Sequence, residues 1–209
     1  NPQGDTVATC GFDRLDSAPR TNGAVRLWDV ATGEEVLLSE RSDDPEPGGR
    51  LVSLGYAIAF HPAGRMLATS GDTYGSLHLW DLPTRCLIEL PGHDRLSILA
   101  LAFSPDGHTL ATGGMDHTVK LWNTATWQRT ALIQPQDNQV SAVGFSPDNA
   151  ILATTGLGVT VRLWDTRTGE PVSVLLGHDD DVHAFAFSPD SRMLVTGSQD
   201  RTIRLWDLG

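Results

Sequence analysis

Hydroxyl, imidazole and carboxylate side chains recur in this 209-residue chain in a way that invites a chemical test. His93, Thr112 and Asp116 form one set, and His178, Thr196 and Asp200 a second. These are the residue types of a triad in which a base activates a hydroxyl nucleophile. A nucleophile and its base must face a substrate cleft. Here the set occurs twice, each time with a tryptophan, Trp122 or Trp206, as a further partner. Repetition of that kind suits a structural device, and the sequence holds neither a G-x-S-x-G elbow nor an H-E-x-x-H motif. No catalytic residue is assigned. The run His178-Asp179-Asp180-Asp181-Val182-His183 brings three carboxylates and two imidazoles together and calls for a metal test. Consecutive acids splay around a turn, and His183 falls on a strand, so the run reads as a solvated acidic loop. No metal and no cofactor is expected. His61, His78, His108 and His117 read as scattered single surface histidines, and Cys10 and Cys86 as two small buried thiols.

The elements that must position these groups follow from a period. Trp28, Trp80, Trp122, Trp164 and Trp206 each follow a leucine, at intervals of 52, 42, 42 and 42 residues, and all but Trp122 precede Asp. Phe60, Phe103, Phe145 and Phe187 keep the same beat, each followed at once by HPAG, SPDG, SPDN or SPDS. Proline with Asp, Asn or Gly is what a tight reversal between strands requires. Between the markers run short segments rich in aliphatic and β-branched residues, separated by turn signals every eight to twelve residues, and no window supports a long helix. Each repeat reads as four antiparallel strands a, b, c and d. In the repeat ending at Trp122 the expected ranges are 97–103, 109–113, 118–122 and 129–133. A sheet of this size has two apolar faces and must stack on its neighbours around an axis, which is the design of a β-propeller.

The WD dipeptide at a 42-residue period, the pairs Gly92-His93 and Gly177-His178, and the LATGG-x-D-x-T-V-x-L-W pattern resemble the WD40 repeat family over nearly the whole chain. The resemblance implies an all-β propeller of five consecutive blades, the first and last incomplete, at about 5–40, 51–91, 96–134, 138–176 and 181–209 in one 1–209 segment. It also implies a structural hydrogen-bonded chain of His93, Thr112, Asp116 and Trp122 in one blade and of His178, Thr196, Asp200 and Trp206 in another. The repeat ending at Trp164 departs from the pattern, because Pro135-Gln136 replaces Gly-His and Gly158 stands at the turn aspartate, so a looser blade is expected. The repeat ending at Trp80 also lacks Gly-His, and its turn from Gly71 to Gly75 carries one extra residue. Rings of this family usually have seven blades. The end sets b, c, d and a, b, c cannot merge into one blade, so the expectation is an open arc, with a closed five-bladed ring as the competitor.

Two insertions interrupt the array, Arg14 to Gly23 between b and c of the first repeat and Glu40 to Arg50 between its d and the next a. In an up-and-down blade these connections leave by the same face, and loops on one face commonly form the recognition surface. Arg14, Asp16, Arg20, Asn22, Asp43, Asp44, Glu46 and Arg50 are therefore the candidate partner-binding residues.

Composition limits the partners. With 15 Lys plus Arg against 26 Asp plus Glu, the net charge of −11 repels phosphate backbones and anionic lipid surfaces. A protein or peptide ligand is expected, not nucleic acid and not membrane. The apolar runs are far short of the roughly 20 residues needed to cross a bilayer, and no signal peptide opens the chain. A start at Asn1, almost directly in a strand pattern, reads as a piece of a longer cytoplasmic protein. Residue usage resembles bacterial arrays that sit behind signalling ATPase or kinase domains. The function expected is a non-catalytic interaction scaffold able to self-associate through exposed terminal blades. The rival is a propeller enzyme of hydrolase type with a polar axial pocket, for which the sequence offers no convergent set of acids and bases.

Overall fold

A computed structural model describes residues 1–11, 24–37, 57–70, 75–134 and 138–209. The described chain is all-β, with no helix among these residues. It divides into two compact units, Asn1–Ile98 and Leu99–Gly209.

The first unit holds two antiparallel meanders. One runs β1 (Thr6–Gly11), β2 (Ala24–Asp29) and β3 (Glu35–Leu37), and the other β4 (Ile58–Phe60), β5 (Met66–Ser70), β6 (Ser76–Asp81) and β7 (Cys86–Pro91). In the second unit, apart from Ile98 at its edge, lie β8 (Ile98–Phe103), β9 (Thr109–Gly114), β10 (Val119–Asn123) and β11 (Arg129–Ile133), then β12 (Val140–Phe145), β13 (Ile151–Gly156), β14 (Val161–Asp165) and β15 (Pro171–Leu175). A last sheet of β16 (Val182–Phe187), β17 (Met193–Ser198) and β18 (Ile203–Asp207) completes it. Strands expected in the repeat ending at Trp122 appear within one residue of their predicted ends.

Alternation of side chains along strand c builds the packing. Val119 and Leu121 of β10 face forward and share a core with Val140, Leu152 and Trp164 of the next sheet, while Val161 and Leu163 of β14 meet Val182, Leu194 and Trp206. In the first unit Val25 and Leu27 of β2 close on Leu67 and Trp80 in the same manner. Each fully buried aliphatic side chain in these seams contributes about 1.5–3 kcal/mol relative to exposure. The outer strand d is solvated: β7 and β15 are almost wholly exposed. Cys86 opens β7 and is exposed, which corrects the expectation of two buried thiols, whereas Cys10 is half-buried against the first unit's core.

Ser/Thr and Asp pairs shape the turns. Ser104 donates to Asp106 Oδ1 at 2.6 Å and accepts from the Thr109 N–H at 2.9 Å, an arrangement repeated by Ser146 with Asp148 and by Ser188 with Asp190. Neighbouring turns of the second unit are linked as well: the Asp106 N–H donates to Asn149 Oδ1 and the Asp148 N–H to Ser191 Oγ. In the first unit Gly75 adopts φ 80° directly beneath residues 93–96, where a Cβ would stand 2.1 Å from the His93 carbonyl oxygen. Only glycine permits that approach.

Candidate functional site

Register explains where the tryptophans point. Trp122, Trp164 and Trp206 lie directly opposite Leu110, Leu152 and Leu194 on strand b, and two residues further along b, on the same face, comes a threonine. A long side chain reaches such a diagonal neighbour. The indole N–H accordingly donates to Thr112 Oγ1 at 3.1 Å, Thr154 Oγ1 at 2.9 Å and Thr196 Oγ1 at 2.9 Å. The same pair forms between Trp28 and Thr9 at 3.0 Å and between Trp80 and Thr69 at 3.1 Å. Two of these pairs were expected from the sequence. The sequence signal was present for Thr154, ten residues before Trp164 as in the expected pairs, whereas Thr69 and Thr9 lie 11 and 19 residues before their tryptophans and share the place only in strand register.

The second expected set is assembled in the last sheet. His178 Nε2 lies 2.7 Å from Thr196 Oγ1, and His178 Nδ1 lies 2.7 Å from Asp200 Oδ2. An ionised carboxylate only accepts, which fixes the polarity of the chain. The Trp206 N–H donates to Thr196, the Thr196 hydroxyl to His178 Nε2, and the His178 Nδ1–H to Asp200. Asp200 also accepts from the Asp179 N–H at 3.1 Å, the Thr202 N–H at 2.7 Å and the Thr202 hydroxyl at 2.6 Å. Desolvation pushes the Asp200 carboxyl up, but the hydrogen bonds from Thr202, His178 and Asp179 outweigh it and hold the group well below the usual carboxylate range.

This is the proton polarity of a hydrolase triad, without its setting. Thr196 is 1% and His178 4% exposed, and the threonine oxygen already takes an indole N–H. Losing any one of these buried partners costs on the order of 1–3 kcal/mol, so the chain specifies structure.

The first expected set falls in both units: His93 is buried in the first, and Thr112, Asp116 and Trp122 lie in the second. Asp116 Oδ1 accepts from the Thr118 N–H and hydroxyl at 3.1 and 2.8 Å, and buried Lys120 reaches Asp116 Oδ2 at 3.9 Å. His78 is not a surface histidine. It is buried on β6, two residues before Trp80 and so on the same face, and it meets that indole edge-on with centroids 6.3 Å apart.

In the acidic run His178 turns inward to the threonine and aspartate, whereas His183 faces Gln199 Oε1 at 3.3 Å. Among the described residues no group of three or more His, Cys, Asp or Glu converges on a common point that could hold a metal. The candidate partner-binding residues Arg14, Asp16, Arg20, Asn22, Asp43, Asp44, Glu46 and Arg50 lie outside the described residues. Strand β1 ends at Gly11 before the first insertion, and β3 ends at Leu37 before the second.

One repeated device escaped the sequence reading. The Asp or Asn after each of the first four tryptophans caps the turn into strand d. Asp29, Asn123 and Asp165 accept from two backbone N–H groups and a threonine hydroxyl, and Asp81 from the N–H and hydroxyl of Thr84. The D/N-x-x-T spelling would have announced it.

Antiparallel meanders stacked through a strand-c core, each locked by a tryptophan–threonine bond, are blades of a β-propeller. The chain belongs to the WD40 family, described as WD domain, G-beta repeat, whose profile matches residues 52–81, 84–123, 127–165 and 169–207. Every matched stretch ends on the residue after the tryptophan, and the last three begin before a strand d, so there the sequence repeat joins strand d of one sheet to the strands a, b and c that follow it in the chain. The sheet of β1, β2 and β3 is a fifth copy by structure. Among curated proteins the chain is similar to transducin beta-like protein 3 of Bos taurus, 32% identical over 61% of this chain and 15% of that protein. It is 33% identical to anaphase-promoting complex subunit cdh1 of Dictyostelium discoideum over 47% of this chain and 12% of that one. With Polycomb protein esc of Drosophila virilis it shares 30% identity over 61% of this chain and 31% of the relative. The chain thus spans less than a third of each relative's length.

Proposed function

We propose that this chain is a non-catalytic protein-interaction scaffold, the WD-repeat part of a larger signalling or regulatory protein that works in the cytoplasm. One observation carries the reading: the triad-like relay of the last blade is sealed inside it, where its hydroxyl serves an indole instead of a substrate. A relative named as a subunit of a complex supports it.

The partner, a protein or peptide, docks on the face of the b–c and d–a connections. In the last blade His178 of the d–a loop meets Asp200 of the b–c turn, so the two connections leave by one edge. Both insertions are of these two kinds, and Arg14, Asp16, Arg20, Asn22, Asp43, Asp44, Glu46 and Arg50 make the contact. A second contact is homotypic. Ile203 and Leu205, 79% and 66% exposed, occupy the register of Val161 and Leu163, which the next blade covers. Val7 and Val30, at 50% and 56%, stand where Leu67 and Leu82 cover the preceding blade. The two faces are of complementary kinds, which supports head-to-tail association of copies.

Affinity capture with the triple variant Asp43→Ala, Asp44→Ala, Glu46→Ala tests the patch. The proteins retained by the unaltered chain are expected to be lost, and an unchanged set contradicts the assignment. Assays with generic ester, glycoside and peptide substrates are expected to show no turnover by the 209-residue chain, and measurable turnover contradicts the non-catalytic reading.

A further inference from the structure

Strands β6, β10 and β14 are each paired on both sides, whereas among the described residues β18 is paired on one side alone, with β17. Backbone groups alternate sides along a strand. The Ser198 N–H donates to the Thr202 carbonyl and the Leu208 N–H to the Arg192 carbonyl, so the even-numbered residues of β18 turn their backbone groups to β17. Those of Ile203, Leu205 and Asp207 therefore point outward. In three other sheets the residue that matches Asp207 sends its N–H to the same side and reaches the start of strand d: Asp29 donates to the Glu34 carbonyl at 2.9 Å, Asn123 to Gln128 at 3.0 Å and Asp165 to Glu170 at 2.9 Å. The edge of β18 is built like theirs and stands open.

A second observation lies beside that edge. Arg204 packs its guanidinium over Gly177, where a Cβ would stand 3.0 Å from Arg204 Nη1 and 3.2 Å from the Trp206 ring. Its Nε is buried and, among the described residues, has no hydrogen-bond acceptor. A buried charged donor without an acceptor is costly, so this group is primed for one. The first sheet shows what meets an arginine at this place. Arg26 stands two residues before Trp28, as Arg204 stands two before Trp206. Arg26 Nε lies 3.4 Å from Glu35 Oε1, and Glu35 is the strand d residue directly opposite Trp28. An open backbone edge and an unmet guanidinium donor thus adjoin on β18.

We infer that the outer edge of β18 binds an extended acidic segment of a partner protein, antiparallel, with a glutamate opposite Trp206 whose carboxylate accepts from Arg204 Nε. The inference rests on the interaction-scaffold reading and gives the partner a form. Backbone bonds to Ile203, Leu205 and Asp207 supply affinity, and the charge-assisted bond to Arg204 selects the glutamate. The next residue of the segment falls opposite Leu205, as Val36 falls opposite Leu27. An apolar side chain there extends the exposed surface of Ile203 and Leu205.

Titration of the isotope-labelled 209-residue chain by magnetic resonance tests it directly. The probe is the acetylated and amidated peptide Thr-Gly-Glu-Glu-Val-Leu-Leu, which copies residues 32–38. One counterpart carries Gln at the second glutamate, and another Pro at the valine, which removes the N–H that faces Leu205. The first peptide is expected to shift the Ile203, Leu205 and Asp207 amides and the Arg204 Nε–H saturably and to slow exchange of the Leu205 and Asp207 amides. The Gln and Pro peptides are each expected to bind about tenfold more weakly or worse. Arg204→Gln is expected to weaken binding of the Glu peptide to a similar degree. Its thermal midpoint is expected to stay in place or rise, because the free chain loses no bond. Equal binding of the Glu and Gln peptides, shifts confined to other sheets, or undiminished binding by a folded Arg204→Gln chain would overturn the inference. Slow exchange of the Leu205 and Asp207 amides in the concentrated chain without peptide would assign the edge to a second copy and overturn it as well. The titration needs no natural partner, so its failure leaves the scaffold reading to the capture experiment, and a failed capture leaves the titration standing.

Discussion

Asp200 shows how one carboxylate ties stability to pH. Its folded value lies below the ordinary 3.8, because hydrogen bonds to the ionised form outweigh desolvation. A depressed folded value means that the stabilisation is complete above about pH 4 and is lost as the pH falls towards the folded value. Asp200→Asn is therefore expected to lower the unfolding midpoint at pH 7, and the gap from the unaltered chain is expected to shrink as the pH is taken below about 4. A gap that stays constant into acid would show that the charge is immaterial. The thiols give a second test at this scale. Burial pushes the Cys10 thiol up, while Cys86 is exposed at the start of its strand. A thiolate-directed reagent added to the folded chain is expected to label Cys86 first, as mapped by mass spectrometry. Equal rates would contradict the placement.

Among the elements, the blade of β12 to β15 carries the difference that matters. It retains the Trp164–Thr154 bond and a core as closed as its neighbours', but Gly158 removes the turn carboxylate. Amide hydrogen exchange is expected to proceed faster in β13 and β14 than in β9 and β10. Equal protection would show that the missing aspartate does not loosen the blade. Much of this was legible in the sequence. The tryptophan spacing and the SPD turns declare the strands, because a buried indole and a tight reversal each demand particular residues at fixed offsets. What escaped depends on comparison across space. The burial of His78 goes with its packing edge-on to Trp80, and the exposure of Cys86 with its place on an outer edge strand, neither of which local hydrophobicity reveals. The candidate residues of the two insertions remain outside the described residues, and their sequence is irregular where the repeats are regular.

Within each unit, sheets stacked through strand-c cores make stability a sum of blade and seam contributions, and the proposed head-to-tail contact draws on the exposed face of Ile203 and Leu205. Sedimentation of the 209-residue chain is expected to show concentration-dependent association that Leu205→Lys suppresses, and a chain that stays monomeric at high concentration would contradict head-to-tail contact. The central claim is that the recurring threonine, histidine, aspartate and tryptophan serve architecture. Urea unfolding of Thr196→Val measures that most directly, because valine keeps the shape and removes both the acceptor for Trp206 and the donor to His178. The expected result is a loss of about 1–3 kcal/mol. An unchanged unfolding curve would contradict it.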